Sequence, residues 1–120
     1  MPNANQRRGR DWERKLRDGF RAEGFDTEHF RDTGMKDEGD LLVRSSGGHM
    51  FVVEAKDAKL NVTGFLGEAE IECQHFAESR PYIADDKIHG VVAWKRRGKT
   101  FKGGVVMMDM DTFMSILEAM

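Results

Sequence analysis

Residues 39–56, GDLLVRSSGGHMFVVEAK, constrain the fold more than any other stretch of this chain. Two apolar runs, LLV and FVV, flank the turn sequence SSGG, which predicts a hairpin of strands at 40–44 and 49–56. Side chains alternate across a strand, so Glu54 and Lys56 share a face with Val52 while Ala55 points the other way. Charged groups on a half-buried face are costly unless they are paired, solvated or binding something. The pattern acid-x-Lys occurs at Glu13/Lys15, Glu54/Lys56, Asp57/Lys59 and Asp85/Lys87, but only Glu54/Lys56 closes an apolar strand. Asp40 opens the preceding strand, and hairpin pairing sets the start of one strand beside the end of the next. Asp40, Glu54 and Lys56 are therefore expected to converge at one edge of a sheet.

The remaining elements follow from periodicity. Trp12, Leu16 and Phe20 recur at every fourth position, which predicts a helix over 5–23 that stops at Gly24. FDTEHFRD reads as a short strand and TGMKDEG as a loop. Leu66, Ala69, Cys73, Phe76 and Ala77 place a second helix over 65–79, ahead of Pro81. HGVVAW and GVVMMD read as strands joined by the basic turn KRRGKTFKG. A closing helix runs through Phe113, Ile116, Leu117 and Met120, capped by Asp109 or Asp111. The expected fold is α/β, a mixed β-sheet flanked by helices in the order α-β-β-β-α-β-β-α, built as a single domain over 1–120.

Charge and cysteine content narrow the function classes. A third of the residues are charged and no apolar run approaches the ~20 residues of a membrane span, so no membrane partner is expected. The amino-terminal MPNANQRRGR lacks an apolar signal region, and the single Cys73 suits a reducing compartment, so a cytoplasmic location is expected. The net charge of −2 conceals two basic clusters. Arg7, Arg8, Arg10 and Arg14 gather at the start of the first helix, and Lys95, Arg96, Arg97 and Lys99 in the turn between the last two strands. Both are candidate contacts to a nucleic-acid backbone. Few aromatics are interleaved with them, so stacking on single-stranded bases is not favoured.

Hydrolysis of a phosphodiester calls for a hard cation that neutralises the phosphate and acidifies water. Mg²⁺, with Mn²⁺ as the alternative, takes oxygen ligands: one or two carboxylates plus waters and substrate oxygens. Asp40 and Glu54 can supply the carboxylates, and the backbone carbonyl of Ala55 a further oxygen. Lys56 would hold the attacking water, help deprotonate it, or stabilise charge on the phosphorane. The competing reading is a strand-end ion pair. His29, His49, His75 and His89 lack zinc-site spacing and read as structural or surface residues, and Cys73 as a small core residue. The carboxy-terminal methionines read as core, any excess favouring a dimer interface.

GD followed by an apolar strand, a turn and VVEAK resembles the PD-(D/E)xK nuclease superfamily, with Gly39 where proline often stands. The upstream helix RRGRDWERKL, bearing Glu13, and RDTG before the GD are similar to archaeal-type Holliday junction resolvases and their phage relatives, over residues 7–74. The resemblance implies a restriction-endonuclease-like sheet and a metal-dependent, structure-selective DNA endonuclease making paired nicks at a junction. It implies Glu13, Asp40 and Glu54 as metal-site acids, Glu13 through water, and Lys56 as the catalytic lysine. Arg31 and Thr33 would lie in a loop near the DNA, Thr33 standing where those resolvases often have serine. Branched or duplex DNA and a second copy of the chain are the implied partners, without a small-molecule cofactor, in a prokaryotic or phage-infected cell. Virus-type replication-repair nucleases share the same core with a glycine-containing loop and a helical glutamine, which Gly64 and Gln74 match. They act on flaps, ends or nicked duplex.

Overall fold

A computed structural model describes residues 3–30 and 38–120. Helix α1 (Ala4–Ala22) begins one residue before the periodicity requires, because Asn3 and Gln6 form a capping box. The Asn3 side chain accepts from the Gln6 amide at 2.8 Å, and the Gln6 side chain accepts from the Asn3 amide at 2.9 Å. Strands β1 (Asp26–His29), β2 (Leu41–Arg44) and β3 (Met50–Lys56) follow as an antiparallel meander. Helix α2 (Val62–Glu78) starts three residues ahead of the expected position, since Asn61 caps it through the Gly64 amide. It leads to β4 (Ile88–Trp94), β5 (Val105–Met107) and α3 (Met110–Ala119), with Asp109 as the α3 cap. Single 3₁₀ turns sit at Asp85–Lys87 and Phe101–Gly103. The expected α/β order is the observed one.

The five strands form one mixed sheet in sequential order. Among the described strands only β3 and β4 are parallel, joined by the α2 crossover, and their register pairs Glu54 with Val92 and Lys56 with Trp94. Alternation along the strands divides the core between two faces. Leu41, Val43, Val53, Ala55, Val91 and Ala93 pack with Trp12 and Leu16 of α1. On the other face Leu42, Val52 and Ile88 meet Phe30 and Phe76, and Val92 meets Phe65 and Ala69. Burial on both faces explains the continuous apolar runs of β3 and β4. Gly90 lets α2 come close: a Cβ there would stand 2.9 Å from the Cys73 Cβ. Cys73 is thereby half-buried, and burial pushes its thiol up to about 11. No helix among the described residues is long and apolar enough to cross a membrane.

The path of the chain fixes where charged residues collect. β3 and β4 end side by side, and β2 begins beside the end of β3. In an open α/β sheet the crevice beyond the carboxyl ends of parallel strands is the usual ligand position.

Candidate functional site

Asp40 sits just before β2, and its backbone and side chain bind different residues of β3. Its amide donates to the Val53 carbonyl at 2.9 Å, and its carboxylate Oδ2 accepts from the Ala55 amide at 2.8 Å. The acid is therefore pinned to the residue between Glu54 and Lys56. The preceding Gly39 has φ +93°, and a Cβ there would lie 2.8 Å from a Val52 methyl carbon. Proline, with φ held near −65°, cannot take this conformation. Where the pattern this stretch resembles often has proline, this chain uses glycine for a left-handed turn pressed against β3.

Glu54 is only 6% exposed. Its Oε1 lies 3.6 Å from the Lys56 ammonium, while its Oε2 is buried without a hydrogen-bond partner. Val53 and Ala55 belong to the α1 side, so Glu54 and Lys56 face α2. There Lys56 meets Glu68, with Nζ 2.6 Å from Glu68 Oε2, and lies 5.4 Å from the centre of the Phe65 ring. Glu68 escaped the sequence reading because a solvent-facing glutamate on a helix carries no signal of its own. Ala55, expected to offer its carbonyl, is held by its amide to Asp40 and pairs with Ala93 of β4.

Glu13 is also buried, at the same end of the sheet but on the α1 face. Its Oε1 is 2.9 Å from His29 Nε2, and His29 Nδ1 is 3.4 Å from Arg17. His29 is thus an interior partner of Glu13, the structural of its two expected roles. Gln74 is exposed and lines a groove of about 630 Å³ between α2, β4 and the start of α3. Its neighbours there are Glu70, Asp109 and Asp111, and no described contact joins it to Lys56. Arg31 and Thr33 lie outside the described residues.

Both basic clusters reach the same end. Trp12 donates its indole N–H to the Ala93 carbonyl at 3.0 Å, and Glu13 meets His29 at the end of β1. Arg7, Arg8 and Arg10 lie in the turns of α1 just before this Trp12 contact with the last residues of β4. Arg7, Arg8 and Arg14 are exposed and Arg10 half-buried. Arg14 makes one long contact, 4.0 Å, to Asp11. After β4 the Lys95 amide donates to the Lys56 carbonyl at 2.9 Å, which draws the basic loop against the end of β3. Arg96, Arg97 and Lys99 are exposed there, and Lys95 is half-buried.

Among the described residues, no three His, Cys, Asp or Glu side chains converge as a ready-made metal cage. The arrangement suits an ion that takes one or two carboxylates and completes its shell with water and substrate oxygens. The buried, unpartnered oxygen of Glu54 is the observation that fits such an ion. No family model matches the chain, and no curated protein matches it.

Proposed function

We propose that the protein is a metal-dependent, structure-selective DNA endonuclease, most specifically a Holliday junction resolvase of the PD-(D/E)xK type. The observation that carries the reading is Glu54: a buried carboxylate with one oxygen unpartnered, next to Asp40 and Lys56, at the end of the sheet where both basic clusters project. Burying a carboxylate costs several kcal/mol unless it is compensated, and an arriving cation compensates it.

Asp40 and Glu54 would hold Mg²⁺ or Mn²⁺, which when bound neutralises the scissile phosphate and acidifies a water. The Ala55 amide fixes the direction of the Asp40 carboxylate, and strand β3 fixes Glu54 beside it. Lys56, held between Glu54 and Glu68, orients the attacking water or stabilises negative charge developing on the phosphate. Glu13, engaged with His29, acts from the opposite face of the sheet and would reach the metal through water. Arg7, Arg8, Arg10, Arg14 and the loop carrying Lys95, Arg96, Arg97 and Lys99 supply sequence-independent contacts to phosphates. No described contact brings Gln74 to Lys56, so nothing in the geometry favours the replication-repair branch over the resolvase reading.

A four-way junction is nearly two-fold symmetric, and resolving it takes nicks in two strands of like polarity. One chain carries one such site, so two copies about a two-fold axis are the economical solution. The test is cleavage of four-way, flap, linear and single-stranded DNA with Mg²⁺. Paired nicks placed symmetrically about the crossover are expected. Equal cutting of linear duplex, or no metal-dependent cutting of any substrate, overturns the reading.

A further inference from the structure

Asp57 is a buried acid outside the proposed metal site, and none of the chemistry above uses it. Its side chain is 3% exposed, yet it lies directly after Lys56, at the mouth of the sheet. In sequence it belongs to an acid-x-Lys pair with Lys59, but its charge partners come from another element. Lys95 Nζ lies 3.7 Å from Oδ2 and Arg97 lies 3.8 Å from Oδ1. Two further contacts tie the same two segments together. The Lys95 amide donates to the Lys56 carbonyl at 2.9 Å, and the Trp94 indole donates to the Ala58 carbonyl at 2.9 Å. A carboxylate kept out of water is retained only where cations repay its desolvation, and here both cations belong to the exposed basic loop.

We infer that Asp57 is a positioning residue that holds Lys95 and Arg97 in fixed register with Lys56, so that the loop grips a DNA phosphate only where the scissile bond meets Asp40 and Glu54. The inference rests on the nuclease reading and adds a coupling between grip and cut. At 3.7–3.8 Å the two ion pairs are loose, and Arg97 remains 70% exposed in its side chain. Each cation therefore keeps donors to offer a phosphate while Asp57 sets where it stands. Without that anchor the cations would still bind DNA, but without register.

The experiment compares wild type with Asp57→Asn on a four-way junction, measuring binding in EDTA across a salt series and cleavage in Mg²⁺ at saturating DNA. Releasing two cations from an internal anion should steepen the slope of log K against log salt by about one to two. Binding at low salt should be equal or tighter, while turnover falls about tenfold or more, because misplacing the substrate costs rate rather than affinity. Simple loss of folding would weaken binding and turnover together and would appear as a lower melting temperature. Asp57→Glu, which keeps the charge, should return the slope toward wild type. Adding Lys95→Gln and Arg97→Gln to Asp57→Asn should cancel the steepening. An unchanged slope with unchanged turnover overturns the inference alone, whereas wild-type protein that fails to bind the junction overturns the nuclease reading and this inference with it.

Discussion

At the scale of single residues, Glu54 is an uncomfortable buried carboxylate. One oxygen has a distant lysine and the other has nothing, on a strand whose remaining inward residues are apolar. Leaving a buried acceptor unsatisfied costs about 1–3 kcal/mol, more for a charge. Glu54→Gln removes the charge and keeps the shape, so the metal-free variant should melt at or above the wild-type temperature. Mg²⁺ should then stabilise wild type, by about 2.7 kcal/mol at a hundredfold its Kd, and leave the variant unmoved. Cleavage by Glu54→Gln should fall by more than about a hundredfold with DNA binding retained or tightened. Lys56→Ala supplies the contrast: it should keep the Mg²⁺-dependent rise in melting temperature and still lose most turnover. A Mg²⁺ response in Glu54→Gln, or cleavage by it, removes Glu54 from the metal site.

At the scale of elements, the two ends of the parallel pair β3–β4 differ in chemistry. The carboxyl ends carry the acids and cations, while the amino ends are closed by a histidine pair. His49 Nδ1 lies 2.9 Å from His89 Nε2, the rings stack, and Phe51 packs against His89. Only one proton can occupy the space between those two nitrogens, so the contact is lost when both rings are charged. Burial holds the His89 ring below its ordinary 6.5, His49 adds to the depression, and of the charged neighbours Asp86 opposes it while Lys87 reinforces it. A depressed histidine binds more protons unfolded than folded, so its contribution to stability is complete above 6.5 and is lost as pH falls through the folded value. The melting temperature should therefore drop between about pH 7.5 and about pH 5.5, and His89→Phe should flatten part of that drop. Equal pH dependence in both proteins would place the acid sensitivity elsewhere.

At the scale of the whole molecule, charge and apolar surface are segregated. The basic clusters extend from one end of the sheet, while Glu70, Glu78, Asp85, Asp109 and Asp111 line the groove between α2 and α3. A net charge of −2 is the sum of these regions and describes neither. Helix α3 contributes no buried residue, and it exposes Met110, Phe113, Met114 and Leu117 at helical spacing, Met110 by 69%. The carboxy-terminal methionines, expected in the core, are largely outside it: Met110, Met114 and Met120 are exposed. Such a stripe is the kind of surface that a second copy would cover. The protein should run as a homodimer in light scattering. Phe113→Glu combined with Leu117→Glu should give a folded monomer that binds a junction no more tightly than linear duplex. A wild-type monomer under assay conditions, or a dimer that survives both substitutions, would exclude α3 as the contact.

The sequence alone determined the order of elements, because period-2 and period-3.6 patterns, turn glycines and capping residues act within a few neighbours. It also determined that Glu54 and Lys56 share a face and that Asp40 lies across the hairpin, since a tight turn leaves little freedom of register. Partners brought together by packing were beyond it. Glu68 meets Lys56 because α2 folds back over the ends of the strands, Glu13 finds His29 because α1 lies along β1, and Asp57 faces Lys95 and Arg97 because β3 and β4 run parallel. Gly39 reads in sequence as a departure from proline, and only the backbone reveals the left-handed turn that requires it. Local rules fix what each segment becomes, whereas the company a side chain keeps is decided when distant segments bury their apolar faces against one another, because that burial is non-directional and leaves no mark on neighbouring residues.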